Sequence, residues 1–164
     1  MKIYVASSIG RASTLLSAFD NALQNAGVCN YNLIPLSSVI PPQSKVIKKT
    51  RYKTPKDEFG HKLYCIKAEI RSDETGKFIA AGLGWYQFGD NRGIFVEHWI
   101  KGETQIAVKS VLELRIQKSL QDMCRFRKIK FSRKKISTVI SLAQVKHEAT
   151  SALVMAVYQS EAWK

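Results

Sequence analysis

The 164-residue sequence has little cysteine and little histidine, and this scarcity argues against two classes of protein. Its three cysteines, Cys29, Cys65 and Cys124, lie far apart and form no CxxC pair, which argues against a disulfide framework or a zinc ribbon. The three histidines are equally scattered along the chain. We therefore predict no metal site.

Long apolar runs are also missing. No segment approaches the roughly 20 apolar residues that span a bilayer, and the opening MKIYVASSIG is too short an apolar stretch for a secretory signal. The length favours one domain, residues 1–164, and the hydrophobic content of 45% is enough for a core. We expect a single-domain cytoplasmic protein that does not enter a membrane.

Acidic residues are half as numerous as basic ones, 13 against 26, so the formal net charge is +13. Two segments, 45–56 and 125–135, carry much of this charge and include the aromatic residues Tyr52, Phe126 and Phe131. Basic residues interleaved with aromatic ones are typical of surfaces that bind nucleic acid or other anionic partners. The pattern equally describes a solvated loop and a solvated strand edge, where lysines discourage strand pairing. Both interpretations stay open at this point.

Hydrophobic periodicity predicts two helices among short strands. The first helix, 13–27, has a serine or threonine to cap its start and Gly27 to end it, and the second covers 102–123. Residues 43–60 are polar and basic and indicate a loop. The predicted strands cover 2–7, 31–37, 61–71, 77–88, 94–100, 135–147 and 149–163, of which the last also fits a helix. This order predicts an α+β domain with antiparallel sheet covered by helices.

The stretch PLSSVIPP, residues 35–42, places two adjacent serines between an apolar strand and two prolines. Prolines restrict the backbone, and a serine pair before them can be an ordinary turn. A hydroxyl beside a constrained peptide bond is also an arrangement from which a chain can attack itself. Ser37 and Ser38 are therefore candidate cleavage-site residues.

Two carboxylates lie next to apolar surfaces. Asp20 lies at the border of the apolar face of the first helix, and Glu97 lies in the middle of an apolar strand. Their ordinary interpretations are a solvated helix carboxylate and an outward-facing residue on a two-faced strand.

Together these segments resemble the pyruvoyl-dependent arginine decarboxylase family. LLSAFDNALQNAG is similar to the family's FDxALxxAG helix, and NYNLIPLSSVIPP is similar to its NLxxxSSIxPP, with matching spacing from Asp20 to Ser38. GIFVEHWIKG is similar to a family strand with a glutamate, which corresponds to Glu97, and HEATSALVMAVYQSEAW resembles the family's final strand. The resemblance covers nearly the whole chain.

The resemblance implies a proenzyme that cuts itself between Ser37 and Ser38 into a β chain, 1–37, and an α chain, 38–164. The Ser38 hydroxyl would attack the Ser37 carbonyl, and elimination with loss of ammonia would convert Ser38 into a covalent pyruvoyl group. This group would form a Schiff base with L-arginine and draw electrons as CO2 leaves, which gives agmatine without a dissociable cofactor.

The resemblance also implies roles for the other candidates. Asn32 would hydrogen-bond near the pyruvoyl carbonyl, and Glu97 would protonate the carbon that CO2 leaves. Asp20 would pair with the guanidinium group of the substrate. The family's fold is an αββα sandwich, assembled as trimers of αβ units with sites at the subunit interfaces.

Two other hypotheses stay open. A protein of the same fold without catalytic activity could bind nucleic acid or an anionic surface through 45–56 and 125–135, segments that are more basic than the family pattern leads us to expect. Such a protein need not keep Asn32, Ser38 and Glu97 together. Alternatively, the serine pair is a turn in an unrelated α+β domain.

Overall fold

A computed structural model describes all residues, 1–164, and shows two β-sheets packed face to face with one helix on the outer side of each. This arrangement confirms the predicted α+β sandwich with αββα layers. The helices are α1 (Leu15–Ala26) and α2 (Gln105–Phe126). The strands are β1 (Lys2–Ala12), β2 (Asn32–Pro35), β3 (Val39–Ile40), β4 (Lys45–Lys49), β5 (Lys62–Ser72), β6 (Phe78–Phe88), β7 (Arg92–Gly102), β8 (Ser137–Gln144) and β9 (Ala149–Glu161).

Helix α1 begins and ends where its capping residues predict. The Thr14 hydroxyl accepts a hydrogen bond of 3.1 Å from the amide of Ser17, one of the amides that a helix start leaves unpaired. Gly27 ends the helix with a φ of 83°, in the left-handed region that glycine adopts without steric cost. Neither α1 nor α2 contains an apolar stretch long enough to cross a bilayer.

The larger sheet has the strand order β2-β5-β9-β1-β4, and the smaller has the order β3-β7-β6-β8. All neighbours in the smaller sheet are antiparallel, as predicted, and so are the β5–β9 and β9–β1 pairs of the larger sheet. The two edge pairs, β2–β5 and β1–β4, are parallel. The larger sheet is therefore mixed, which short strand patterns do not reveal.

The main core lies between the sheets and fixes their relative position. It contains 15 buried residues. Four of them, Ile66, Leu83, Phe95 and Val154, are each at most 1% exposed. Smaller clusters of 10 and 9 buried residues lie beneath α1 and α2, respectively. Because burying one Leu, Ile or Phe side chain contributes about 1.5–3 kcal/mol, sliding one sheet over the other would be costly.

Residues 45–49 form a strand, so the prediction of a loop over 43–60 is wrong there. This strand, β4, pairs in parallel with the first five residues of β1. Its sequence, KVIKK, has only two apolar residues, too few to show the alternation of a strand. Its lysines suit the exposed edge of a sheet, where charge discourages pairing with other chains.

Other boundaries differ more modestly from the predicted ones. Strand β1 continues beyond residue 7 to Ala12 because β9 supplies pairing partners along that length. The two-residue strand β3 falls in the proline-containing stretch where none is predicted. The C-terminal segment, whose pattern fits a strand or a helix, forms β9, the central strand of the larger sheet. Its continuous apolar sequence is buried because both faces of the sheet are covered there.

Both sheets leave part of an edge unpaired on the same side of the sandwich, where β5 packs against β7. Strand β2 pairs with β5 only as far as Cys65, and β3 pairs with β7 only at Gly93 and Ile94. The rest of β5 and β7 has no strand neighbour on that side. Such edges can accept contacts from another chain.

Candidate active site at the junction of the two sheets

The Ser37–Ser38 peptide bond lies where the chain crosses from one sheet to the other. Just before it, the Leu36 amide donates a 2.9 Å hydrogen bond to the Cys65 carbonyl in the larger sheet. Just after it, the Ser38 carbonyl accepts a 2.8 Å hydrogen bond from the Phe95 amide in the smaller sheet. The peptide bond is therefore anchored on both sides to elements of two different sheets.

Ser38 has a backbone conformation that serine rarely adopts. Its φ is +54°, in the left-handed region, where a side chain beyond Cα is sterically disfavoured. Such a conformation costs on the order of 1–3 kcal/mol and persists only where surrounding contacts enforce it. The sequence predicts a turn constrained by the prolines, and the structure shows that the backbone of Ser38 itself is strained.

The side chain of Ser38 points to Glu97. Its Oγ donates a hydrogen bond to Glu97 Oε1, although 59 residues separate the two in sequence. Glu97 lies on β7 two residues beyond Phe95, and alternate residues of a strand share a face, so Glu97 is on the side of β7 that faces the other sheet. Both residues are partly buried. A carboxylate in this position can accept a proton from the hydroxyl or return one nearby.

Tyr158 is a site residue that sequence reasoning missed. Its hydroxyl donates a 2.9 Å hydrogen bond to the carbonyl of Val39, the residue after Ser38. Burial and the nearby negative charge of Glu97 both raise the pKa of Tyr158, so the hydroxyl keeps its proton and remains a donor at neutral pH. The only signal in the sequence is a polar-tipped residue in an apolar final strand, which is too weak to identify it.

His98 follows Glu97 in sequence but faces away from the site. Its Nε2 lies 2.8 Å from the hydroxyl of Ser119 on α2, on the outer side of the smaller sheet. Burial lowers the pKa of His98, and the positive charge of Arg115 lowers it further. The imidazole is thus a neutral link between β7 and α2.

Two predicted site residues do not meet Ser38 within this chain. Asn32 begins β2, and its side chain donates a 2.6 Å hydrogen bond to the Gly60 carbonyl. Asn32 is three residues from the end of β2, and at about 3.3 Å per residue this length places it roughly 10 Å from the start of the Ser37–Ser38 turn. Asp20 is exposed on α1, which covers the opposite face of the larger sheet, and it forms no ion pair.

An open groove of about 620 Å³ follows the unpaired strand edges beside the site. Glu69, Arg71 and Trp99 are among its lining residues, and Arg71 pairs with Glu69 at 2.8 Å. The Trp99 ring, two residues beyond Glu97 on the same face of β7, is 54% exposed. The ring therefore leaves apolar surface open beside the unpaired strand edges, where another chain can make contact.

The fold and the site together define an αββα protein with a candidate reactive serine in a strained turn between two sheets. The hydroxyl of this serine is hydrogen-bonded to a carboxylate. A comparison with known families is more specific. The model of the pyruvoyl-dependent arginine decarboxylase family matches residues 2–162. The chain belongs to this family.

Individual relatives agree with this assignment. The pyruvoyl-dependent arginine decarboxylase of Pyrococcus abyssi is 30% identical over 158 residues, which cover 96% of each chain. The protein of the same name from Picrophilus torridus is 31% identical over 109 residues, 63% of this chain and 58% of that protein. Pyruvoyl-dependent arginine decarboxylase 2 of Archaeoglobus fulgidus is 30% identical over 121 residues, 69% of this chain and 74% of that protein. With some relatives, then, the aligned part spans less than two thirds of their length.

Proposed function

We propose that this chain is a proenzyme that cuts itself between Ser37 and Ser38 and then decarboxylates L-arginine to agmatine and CO2. The observation that carries the proposal is the hydrogen bond from the Ser38 hydroxyl to Glu97 at a strained, doubly anchored turn. Membership of the pyruvoyl-dependent arginine decarboxylase family supports the reaction and the substrate. A non-catalytic protein would have no need to hold these two side chains together.

The cut uses groups that belong to this chain alone. As Glu97 accepts its proton, Ser38 Oγ attacks the Ser37 carbonyl carbon, and the C–N bond breaks to leave an ester and a free amine on residue 38. Loss of the α-proton of residue 38 expels the Ser37 carboxylate and leaves a dehydroalanine. Addition of water and release of ammonia then produce the pyruvoyl group. The strained backbone of Ser38 favours the first step because breaking the C–N bond releases the strain.

The residues around Ser38 fit a covalent pyruvoyl group. When formed, the group supplies a carbonyl that condenses with an amine and accepts electrons as CO2 leaves. Glu97 remains beside residue 38 and holds the proton that is delivered to the substrate carbon. General acid catalysis of this kind contributes typically about 10²–10⁴-fold in rate. The amide of Phe95 and the hydroxyl of Tyr158 hold the carbonyls of residue 38 and Val39, and so keep the start of the α chain in place.

Substrate recognition in this proposal requires a second copy of the chain. Asp20 and Asn32 are exposed and lie away from Ser38 in their own subunit, so we infer that a neighbouring subunit presents them to the site. The unpaired edges of β5 and β7 and the exposed Trp99 support an interface there. A trimer of αβ units, as in the family fold, would place one site at each interface. Asp20 would pair with the guanidinium group, whose planar fork matches a carboxylate.

The proposal includes a cytoplasmic location. All three cysteines are free thiols, and two of them, Cys65 and Cys124, are buried. Burial raises the pKa of both thiols, which keeps them unreactive. Unpaired thiols of this kind are typical of proteins in a reducing compartment.

Ser38→Ala is expected to leave one uncut chain without activity, because no hydroxyl remains to attack. Intact mass spectrometry under denaturing conditions would show a single chain of 164 residues. The wild type should give chains of 37 and 127 residues, the longer one lighter by one ammonia than a serine-terminated chain. Ser37→Ala is the matched control and should still be cut. Normal cutting of Ser38→Ala would contradict the proposal.

Glu97→Gln is expected to be cut more slowly, because glutamine cannot take up the Ser38 proton, and to lose turnover per cut chain by about 10²–10⁴-fold. The amide carbonyl of glutamine can still accept the hydrogen bond from Ser38, whereas the amide cannot deliver a proton. Agmatine release at saturating arginine measures the effect, with Glu103→Gln, at an exposed site, as the control. Wild-type kcat in Glu97→Gln would show that the proton comes from another group.

Asp20→Asn is expected to raise KM for arginine by about 10–100-fold, the worth of a hydrogen bond to a charged group, and to leave cutting unchanged. Initial rates over a range of arginine concentrations give the constants. Asp73→Asn, an exposed turn carboxylate, controls for the loss of one negative charge. An unchanged KM in Asp20→Asn would exclude the guanidinium role.

Tyr158→Phe is expected to slow cutting by about fivefold, because one hydrogen bond of roughly 1 kcal/mol no longer restrains the Val39 carbonyl. The time course of cutting after synthesis in a cell-free system measures this rate. Tyr86→Phe is the control, since the hydroxyl of Tyr86 forms hydrogen bonds only with the backbone of Lys130 and Ser132, which do not belong to the site. Equal slowing in both variants would mean that the effect is general destabilisation.

A further inference from the structure

The two basic segments have almost no negative charge of their own. No acidic residue lies between Asp20 and Asp57 or between Asp122 and Glu148. Among the basic side chains of 45–56 and 125–135, only that of Arg125 forms an ion pair. The remaining positive charges are thus not neutralised within the subunit.

Folding brings part of both segments to one edge of the sandwich. Lys48 Nζ donates a 3.0 Å hydrogen bond to the Thr138 carbonyl at the start of β8. The Gln87 amide donates a 3.0 Å bond to the Ser44 carbonyl, next to β4, and Gln87 shares a groove with Lys135. The edge strand β4 of the larger sheet therefore runs beside the beginning of β8, the edge strand of the smaller one.

Three open grooves follow one another along this edge, and we name them together the basic channel. The first, about 320 Å³, is lined by Gln87 and Lys135 among others. Lys48 lies beyond it, over the Trp85 ring, and also lines the second groove of about 430 Å³. The third, about 400 Å³, shares Lys49 with the second and continues to Lys53. The channel thus joins the two basic segments from Lys135 to Lys53.

The third groove also presents aromatic rings. Tyr4 and Tyr52 line it with their ring centroids 6.1 Å apart, together with Arg51. Lys49 Nζ lies 5.8 Å from the centroid of the Tyr4 ring. Positive groups that follow a backbone, combined with aromatic rings on which bases stack, are the two features of surfaces that bind single-stranded nucleic acid.

We propose that the basic channel binds single-stranded RNA through its phosphates, with unpaired bases stacking in the tyrosine-lined groove. A DNA or RNA duplex keeps its bases inside and would leave these rings unused. A lipid surface would require exposed apolar side chains for insertion, whereas the channel exposes mainly lysines and an arginine. RNA is the abundant single-stranded polyanion of cells.

The channel lies at the opposite edge of the sandwich from the Ser37–Ser38 turn. Strands β4 and β8 border the channel, whereas β2 and β3, which flank the turn, are the other edge strands of the same two sheets. The inference therefore does not rest on the proposed reaction. RNA binding and agmatine formation can be measured, and can fail, separately.

The test measures fluorescence anisotropy of a labelled 12-nucleotide single-stranded RNA with the purified, full-length protein. If four to six lysines and arginines of the channel each neutralise one phosphate, log K should fall with log salt with a slope of about −3 to −4. Parallel titrations use single-stranded DNA of the same sequence, the RNA duplex and vesicles of phosphatidylserine and phosphatidylcholine. Stronger binding to the single-stranded DNA, the duplex or the vesicles than to single-stranded RNA would overturn the proposal.

Charge reversal at the two ends of the channel locates the binding. Lys53→Glu combined with Lys135→Glu should weaken RNA binding at least tenfold, because both side chains are exposed and neither forms an ion pair. Lys109→Glu with Lys146→Glu, exposed positions at the far end of the sandwich, lowers the net charge equally and should change binding by less than about twofold. Both variants should keep the wild-type melting temperature and agmatine release. Equal loss in the two variants would show that net charge alone, and not the channel, binds RNA.

Discussion

The hydrogen bond between Ser38 and Glu97 depends on how the two sheets sit against each other. Ser38 follows a segment tied to β5, and Glu97 lies on β7, so the pair forms only if the sheets pack in one position. The core between them sets that position. The left-handed backbone of Ser38 is maintained in the same way, because anchoring bonds worth roughly 1 kcal/mol each offset a strain of about 1–3 kcal/mol.

The same sandwich separates two kinds of surface. The turn with its carboxylate lies at the edge formed by β2 and β3, while unneutralised lysines gather at the edge formed by β4 and β8. A net charge of +13 would repel a cationic substrate such as the proposed L-arginine, yet that repulsion is largely screened beyond about 8–10 Å at physiological salt.

Local patterns predicted the elements that depend on local physics. The Thr14 side chain caps the start of α1, and Gly27, which adopts the left-handed conformation freely, ends it. The apolar patterns of β5, β6 and β7 follow from burial of one or both faces of each strand. Strand β4 was missed because an edge strand of lysines has no apolar pattern, and the pairing that makes it a strand comes from β1. The parallel edge pairs of the larger sheet were missed for the same reason, since pairing is non-local.

The sequence by itself determined the serine pair, the prolines that follow it, the glutamate on an apolar strand and the family to which the chain belongs, because these are matters of residue identity and spacing. Only the tertiary structure decided that Ser38 takes a positive φ, that Glu97 meets its hydroxyl and that Tyr158 holds the next carbonyl. It also decided that Asp20 and Asn32 lie elsewhere. Those relations join residues distant in the chain, and they exist only where the packing of two sheets creates them.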